Sequence, residues 1–279
     1  MEKSTRETLQ QLAKNIRIDI VEEVAAAKSG HPGGSLSIAD VMAYLYGKEL
    51  RVDPKDPRDP DRDRFVLSKG HCAPALYAAL AEKGFFPKEE LLTLRKMGSR
   101  LQGHPDMTLT PGVDMSAGSL GLGVSAAAGM ALAGKIAGKD YRVYTIVGDG
   151  ESEEGQVWEA SMFAAHYKLD NFCLILDWNG LQIDGPIAEV MNSAPHKEKF
   201  EAFGFHVISI DGHDFDQIEA AFNEAKTVKG KPTAIVMKTV KGKGVSFMED
   251  ESLWHGKAPD EEELLRAIAD IRKGAANHG

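Results

Sequence analysis

The chain has 279 residues, of which 43% are hydrophobic and 27% charged, which is typical of a soluble protein with one large domain. Its formal net charge of −9 argues against a nucleic acid or a membrane as partner. The first residues, MEKSTRETLQ, lack the apolar core of a signal peptide, and the two cysteines cannot make a disulfide framework. We therefore expect a cytoplasmic location.

The first part of the chain predicts helices joined by loops. Apolar residues at steps of three and four predict an amphipathic helix over residues 4–27. Residues 29–35 are so rich in Gly and Pro that we expect an irregular loop, which presents His31. A second helix is predicted over residues 37–50, and a charged, Pro-rich surface loop over residues 53–63.

Two further histidines follow in turns. Residues 65–67 predict a short strand that runs into His71, and residues 73–83 predict a helix. His71 would then lie beside a positive helix end, where it could contact a phosphate or simply cap the helix. His104 lies in a Pro-fixed loop, and glycines from Gly118 onward open an uncharged Ala-rich segment that predicts a buried helix.

The most informative stretch is a predicted βαβ unit. Residues 141–147 and 171–177 are apolar runs that predict strands, and residues 154–167 between them have helical spacing. Such a crossover makes the strands parallel, so Asp149 and Asn179 would follow neighbouring strands at the edge where open α/β sheets bind ligands.

The residues after these strands suit a divalent cation that bridges a diphosphate. The carboxylate of Asp149, the amide oxygen of Asn179 and the carbonyl of Leu181 would leave room on Mg²⁺ for phosphate and water. Glutamates 151, 153 and 154 would repel a bare anion, so a cation is needed at this helix start. The motifs G-x-G-x-x-G and G-x-x-x-x-G-K-[ST] are absent here. A plain Gly-Asp turn remains the alternative for this segment alone.

The last part of the chain continues the alternation of strands and helices. Residues 186–194 are predicted to be irregular, and the alternation favours a parallel sheet with helices packed on it. His213 follows a strand and is interpreted as a turn residue. The remaining predictions are a helix at 197–203, a strand at 205–210, a helix at 215–228, a strand at 233–238, a loop at 241–256 with His255, and a helix at 261–275.

Taken together, these motifs resemble the transketolase family. Residues 148–150 (GDG) with Asn179 are similar to its thiamine diphosphate motif, and SGHPG, SKGH, LQGHPD and GSLG have counterparts in the same order. The resemblance covers nearly the whole chain. It implies an α/β thiamine diphosphate-binding fold, with a parallel sheet that has helices on both faces, and a single diphosphate-binding domain over residues 1–279.

The resemblance also implies roles for individual residues. The cofactors would be thiamine diphosphate and Mg²⁺, or another divalent cation such as Ca²⁺ or Mn²⁺, with Asp149, Asn179 and Leu181 as metal ligands. Lys69 occupies a variable position and its role is open. The catalytic residues would be His31, His104 and His255, and the cofactor-binding residues His71, Gly118, Ser119, Leu120, Gly150, Glu154, Asn179 and His255.

The length matches only the amino-terminal half of a transketolase. In the family, a glutamate of a second, pyrimidine-binding domain activates the aminopyrimidine. We therefore expect the first subunit of a split transketolase, which is active with a partner subunit in an α2β2 assembly. It would move a two-carbon ketol unit from a ketose phosphate to an aldose phosphate.

Three other interpretations remain open at this point. A 1-deoxyxylulose 5-phosphate synthase and an E1 subunit of a 2-oxo-acid dehydrogenase both resemble this domain. A non-catalytic binding subunit that keeps the fold is the third. The set of four loop histidines favours transketolase.

Overall fold

A sheet of five parallel strands runs through the centre of the computed structural model, which describes residues 1–274. The strands are β1 (Arg64–Leu67), β2 (Val143–Gly148), β3 (Phe172–Trp178), β6 (His206–Asp211) and β7 (Thr233–Lys238), and the antiparallel pair β4 (Leu181–Gln182) and β5 (Gly185–Pro186) is separate. The sheet order is β1-β2-β3-β7-β6, and every neighbouring pair is parallel. The predicted parallel sheet is confirmed.

Helices cover both faces of this sheet, as predicted. They are α1 (Lys3–Ala27), α2 (Pro32–Leu36), α3 (Ala39–Tyr44), α4 (Ala73–Lys83), α5 (Leu122–Ile136), α6 (Gly155–His166), α7 (Ile187–Val190), α8 (His196–Ala202), α9 (Phe215–Thr227) and α10 (Glu261–Gly274). Side chains alternate along β2, so that Tyr144 and Ile146 join the core under α1, α3, α4 and α9, whereas Val143 and Val147 join the core under α5, α6 and α8.

Helix α2 contradicts the prediction of an irregular loop at residues 29–35. Pro32 fits the first turn of a helix, and His31 precedes it as the N-cap residue. A Cβ atom at Gly33 would lie 2.9 Å from the Trp254 carbonyl oxygen, and one at Gly34 would lie 2.8 Å from Cys72 Sγ. Close packing of this turn therefore outweighs the low helix propensity of glycine.

Two other segments differ from prediction. The helix predicted over residues 37–50 is regular only in α3 and continues as a wider π-helical turn, Leu45–Glu49, where Gly47 lets Leu9 of α1 approach. Residues 186–194 include the short helix α7, which is anchored by the buried Ile187.

The remaining predicted strands and helices are confirmed, with ends that differ by a few residues. Helix α5, which was predicted to be buried, is buried along one face only, since Leu122 and Ile136 are 51% and 78% exposed. Ala275, the last residue of the predicted closing helix, lies outside the described residues. Within residues 1–274, no helix combines the length and apolarity needed to cross a membrane.

Candidate active site at the carboxyl edge of the sheet

Four strands bring reactive or charged side chains to one edge of the sheet. β1 runs into the turn with His71, β2 into Asp149, β3 into Asn179, and β7 into the segment with Lys241. Because the strands are parallel, these residues all follow carboxyl ends and share this edge.

The three predicted metal ligands lie in one connected pair of turns. Gly180, which stands between Asn179 and Leu181, donates its N–H to Asp149 Oδ2 at 2.6 Å. The Leu181 N–H donates to Asn179 Oδ1 at 3.1 Å. Among residues 1–274, no three His, Cys, Asp or Glu side chains are grouped so as to hold a metal ion. An ion at this edge would therefore need the mixed oxygen set of one carboxylate, one amide and one carbonyl, which suits a hard cation.

Asp149 is buried, and its ionisation is sensitive to its surroundings. Burial raises its pKa to about 6, and the neighbouring Asp177 carboxylate adds to the effect, whereas the N–H groups of Gly180 and Gly150 oppose it. A proton would therefore compete with any cation for this carboxylate just below neutral pH.

Asp177 organises the floor of the site, although no feature of the sequence singled it out. It is fully buried, and its carboxylate accepts four side-chain hydrogen bonds: from Lys69 Nζ at 2.7 Å, Ser37 Oγ at 2.8 Å, Asn179 Nδ2 at 2.9 Å and Thr239 Oγ1 at 2.5 Å. The amide nitrogen of Asn179 is thereby directed at Asp177, and the amide oxygen is the atom that accepts from the Leu181 N–H.

Lys69, whose role was open, is the buried counter-charge of Asp177. Its Nζ atom also donates to the Gly34 carbonyl oxygen at 2.9 Å. Burial alone would lower the pKa of Lys69, but the Asp177 carboxylate raises it to about 12. Lys69 therefore carries a permanent positive charge that ties the His71 turn to α2 and β3.

Lys241 is a site residue that sequence reasoning missed. It is 2% exposed, and its Nζ atom donates to the Leu181 carbonyl oxygen at 3.1 Å and to His255 Nδ1 at 3.0 Å. Burial, and then repulsion from Lys69, lower its pKa. The signal in the sequence was the alternation Lys-Gly-Lys-Gly that begins three residues after the end of β7, and Gly242 adopts φ 78°.

Three of the four predicted histidines form a compact cluster. The ring of His31 lies 5.2 Å from that of His71 and 5.4 Å from that of His255, and His71 and His255 stack at 5.2 Å, all measured between centroids. Burial, reinforced by neighbouring positive groups, lowers the pKa values of His31 and His71 to about 4 and that of His255 to about 3. The cluster is thus neutral at pH 7, and its rings can both donate and accept hydrogen bonds.

His104 lies beside this cluster without ring stacking. A Cβ atom at Gly118 would approach its Cγ atom to 3.4 Å, and Tyr77 donates a hydrogen bond to its carbonyl oxygen at 3.1 Å. Burial and the nearby Arg95 guanidinium lower the pKa of His104. Arg95, which sequence reasoning also missed, is exposed and adopts a left-handed backbone conformation with φ 59°. It places a cation on the same side as His31 and His104.

The glutamates at the start of α6 do not act as one acidic cluster, which corrects the sequence interpretation. Glu151 is 3% exposed, and it accepts hydrogen bonds from Ser68 Oγ at 2.5 Å, Gly121 N at 2.8 Å and Gly148 N at 3.0 Å. It therefore ties three loops of the site together instead of facing an anion. Glutamates 153 and 154 are exposed, and Glu154, predicted to bind the cofactor, is the N-cap residue of α6 beside Gly121.

The predicted cofactor loop at residues 118–121 lies on the surface of the chain. Gly118 is partly buried, whereas Ser119 and Leu120 are exposed, and Gly121 has φ 81°. Gly123, two residues further on, faces the chain itself, since a Cβ atom there would lie 2.7 Å from Ser68 Cα.

Gly150, the other glycine assigned to the cofactor, is partly buried between Asp149 and Glu151. Its N–H donates to Asp149 Oδ1 at 2.9 Å, and a Cβ atom there would lie 3.4 Å from Gln182 Cβ. A Cβ atom at this position would thus be in ordinary van der Waals contact with its neighbours.

The residues present fit a diphosphate that is held through a cation. The donor set beside Asp149 consists of oxygens, and the ring nitrogen His31 Nδ1 is buried without a hydrogen-bond partner among the described residues. A buried polar atom of this kind normally has a partner, and a bound ligand would provide one.

Comparison with known proteins agrees with this geometry. The family model described as transketolase, thiamine diphosphate binding domain, matches residues 8–273. The chain is 49% identical to the 6-deoxy-6-sulfo-D-fructose transketolase subunit SqwG of Clostridium sp. (strain MSTE9), over 96% of this chain and 98% of that protein. It is 42% identical to an apulose-4-phosphate transketolase subunit of Phocaeicola vulgatus, over 95% of this chain and 94% of that protein.

A solved transketolase from Campylobacter jejuni has the same fold. The TM-score is 0.87 at 35% identity, and the match covers 99% of this chain but 43% of that one. Together these matches define a thiamine diphosphate-binding domain of the α/β class. The chain belongs to the transketolase family, which confirms the resemblance seen in the sequence.

Proposed function

We propose that this chain is the diphosphate-binding subunit of a split transketolase. The observation that carries the proposal is the convergence of the oxygen set at Asp149, Asn179 and Leu181 with the cluster of neutral histidines at one sheet edge. The two related transketolase subunits match this chain over nearly their whole length, which supports a separate polypeptide. The reaction is transfer of a two-carbon ketol unit from a ketose phosphate to an aldose phosphate.

We propose that Asp149, Asn179 and the Leu181 carbonyl hold Mg²⁺, or Ca²⁺ or Mn²⁺, against the diphosphate of thiamine diphosphate. Lys241 and His71 add positive and hydrogen-bonding groups on the same side. The other cofactor contacts would come from Gly118, Ser119, Leu120, Gly150 and Glu154. When bound, the thiamine cofactor supplies the carbon nucleophile that accepts the two-carbon unit.

The proposed role of the histidines is to bind substrate oxygens without carrying charge. His31, His104 and His255 would donate to or accept from the hydroxyl and carbonyl oxygens of the sugar, because their lowered pKa values keep the rings neutral. The exposed Arg95 guanidinium supports an anionic sugar, since it offers two donors to a phosphate or a sulfonate. The names of the two related subunits concern different ketoses, so the donor sugar has to be tested directly.

The activating glutamate would come from a partner subunit with a pyrimidine-binding domain, in an α2β2 assembly. Exposed apolar side chains on α5 and α6 support such an interface: Leu122 at 51%, Ile136 at 78% and Met162 at 56% exposure. Leu120, 36% exposed, continues this surface into the cofactor loop. A closed twofold assembly would cover it.

We also propose that residues 1–279 form one domain, supported by a single main sheet between two hydrophobic cores. The cytoplasmic location stays a prediction, and both cysteines, Cys72 and Cys173, are buried free thiols.

The test is to express the chain alone and together with the neighbouring reading frame. Transfer to ribose 5-phosphate is then measured from xylulose 5-phosphate and, in parallel, from 6-deoxy-6-sulfo-D-fructose. We expect transfer only by the co-expressed pair and only with thiamine diphosphate and Mg²⁺. Full turnover by the 279-residue chain alone would refute the proposal of a split enzyme.

A further inference from the structure

His213 is the histidine to which the proposed function gives no task. It lies in the turn after β6, as predicted, and its side chain is 14% exposed. Its Nδ1 atom lies 2.7 Å from Asp40 Oδ2, and its Nε2 atom accepts a hydrogen bond from the Val240 N–H at 2.9 Å. Because Nε2 accepts from Val240, Nδ1 is the nitrogen that donates to Asp40.

Asp40 is a firm anchor for this ring. It is buried, and Arg17 donates two hydrogen bonds to it, from Nη1 to Oδ1 at 3.0 Å and from Nη2 to Oδ2 at 2.5 Å. Burial alone would raise the pKa of Asp40, but Arg17 and His213 hold it far below its usual range. The carboxylate therefore stays ionised and fixes the imidazole.

Val240 directly precedes Lys241, so the hydrogen bond from Val240 to His213 fixes the backbone next to Lys241. Residues on either side of Val240 are hydrogen-bonded to other parts of the chain. Thr239 Oγ1 donates to Asp177, and the Gly242 N–H donates to the Gly33 carbonyl oxygen at 2.9 Å. At Val240 itself, the backbone N–H is satisfied by the His213 ring.

We propose that His213 is a positioning residue of the cofactor site. The chain Asp40, His213, Val240 holds Lys241 in register with the Leu181 carbonyl and His255. This inference rests on the proposed function, in which the Leu181 carbonyl holds the cation and Lys241 lies on the diphosphate side. Removing the ring should loosen Lys241 and weaken cofactor binding, while His31 and His104, which act on the sugar, stay in place.

His206 provides a matched control on the same strand. It pairs with the carboxylate of Glu224 at 2.6 Å, at the opposite end of β6, and it is 32% exposed. His206→Ala therefore removes the same kind of histidine-carboxylate pair from β6, at the end away from Lys241.

The experiment measures the KM for thiamine diphosphate, the kcat at saturating cofactor and the melting temperature of the assembled enzyme. His213→Ala should raise the KM for the cofactor about tenfold, as expected for one lost hydrogen bond that positions a charged group, with kcat changed less than about twofold. His206→Ala should leave both unchanged. His213→Gln, whose amide can still accept from Val240 and donate to Asp40, should recover part of the loss.

A double-mutant cycle separates positioning from a general loss of structure. In a Lys241→Met background, His213→Ala should add little to the KM, because the group that it positions is already gone. Additive effects, or a lower melting temperature without a change in the KM, would overturn the inference. If His213→Ala has no effect while Asp149→Ala abolishes cofactor binding, only this inference fails. If the unmodified assembly does not depend on thiamine diphosphate, the proposed function fails and this inference with it.

Discussion

Replacing Asp177 with Asn should destabilise the protein strongly, although the change alters no volume. The substitution leaves Lys69, which is 2% exposed, without its counter-charge at 2.7 Å. Removing one partner of a buried ion pair costs about 3–5 kcal/mol, because the other charge stays desolvated. At about 2–4 °C per kcal/mol for a protein of this size, the melting temperature should fall by roughly 10 °C.

The assay is thermal unfolding of the purified chain at pH 7, followed by circular dichroism. Asp61→Asn is the control, since the pair of Asp61 with Lys139 is exposed at 55% and 43% and should contribute nothing measurable. The double variant Lys69→Met with Asp177→Asn removes both charges and should recover much of the loss. The expectation is refuted if Asp177→Asn melts within experimental error of the Asp61→Asn control, or if the double variant is no more stable than the single one.

Two further predictions concern the site itself. Ala at His31 or His104 should mainly reduce turnover and sugar binding, whereas Ala at His71 or His255 should also raise the KM for thiamine diphosphate; full activity in all four variants would mean that these loops are only structural. Metal-dependent cofactor affinity should be level above about pH 7 and fall as the pH drops through 6. Burial and Asp177 raise the pKa of Asp149 to about 6, so a proton must leave before the cation binds, while the clustered histidines stay neutral down to about pH 4. Isothermal titration between pH 5 and 8 checks this, and an affinity that stays constant over that range would contradict it.

The sheet could be predicted from sequence because its signals are local. β2 and β3 are continuous apolar runs joined by a helix with clear periodicity, and the crossover fixes their parallel direction. The edge that gathers Asp149 and Asn179 then follows from topology. Helix α2 could not be predicted, because its two glycines disfavour a helix and their contacts with distant residues cannot be seen in the sequence.

The parts of the site that sequence reasoning missed depend on long-range pairing. The sequence shows Asp177 only as the last residue of an apolar strand. Three of its four donors, Ser37, Lys69 and Thr239, lie 62 or more residues away in the chain. Glu151 was grouped with its exposed neighbours, although only the fold shows that it accepts from Ser68 and Gly121. The sequence alone does not place Lys241 in the site, because only the fold brings it next to Leu181 and His255.

The central claim is that this edge of the sheet binds a diphosphate through a cation on Asp149. The most direct measurement is calorimetric titration of thiamine diphosphate into the assembled enzyme, in Mg²⁺ and in EDTA, for the unmodified chain, for Asp149→Ala and for the exposed control Glu153→Ala. We predict Mg²⁺-dependent binding for the unmodified chain and for the control. Asp149→Ala should lower the affinity by more than about a hundredfold, because loss of a metal ligand weakens binding more than loss of a residue that only supports a ligand. Unchanged affinity in Asp149→Ala would contradict the claim.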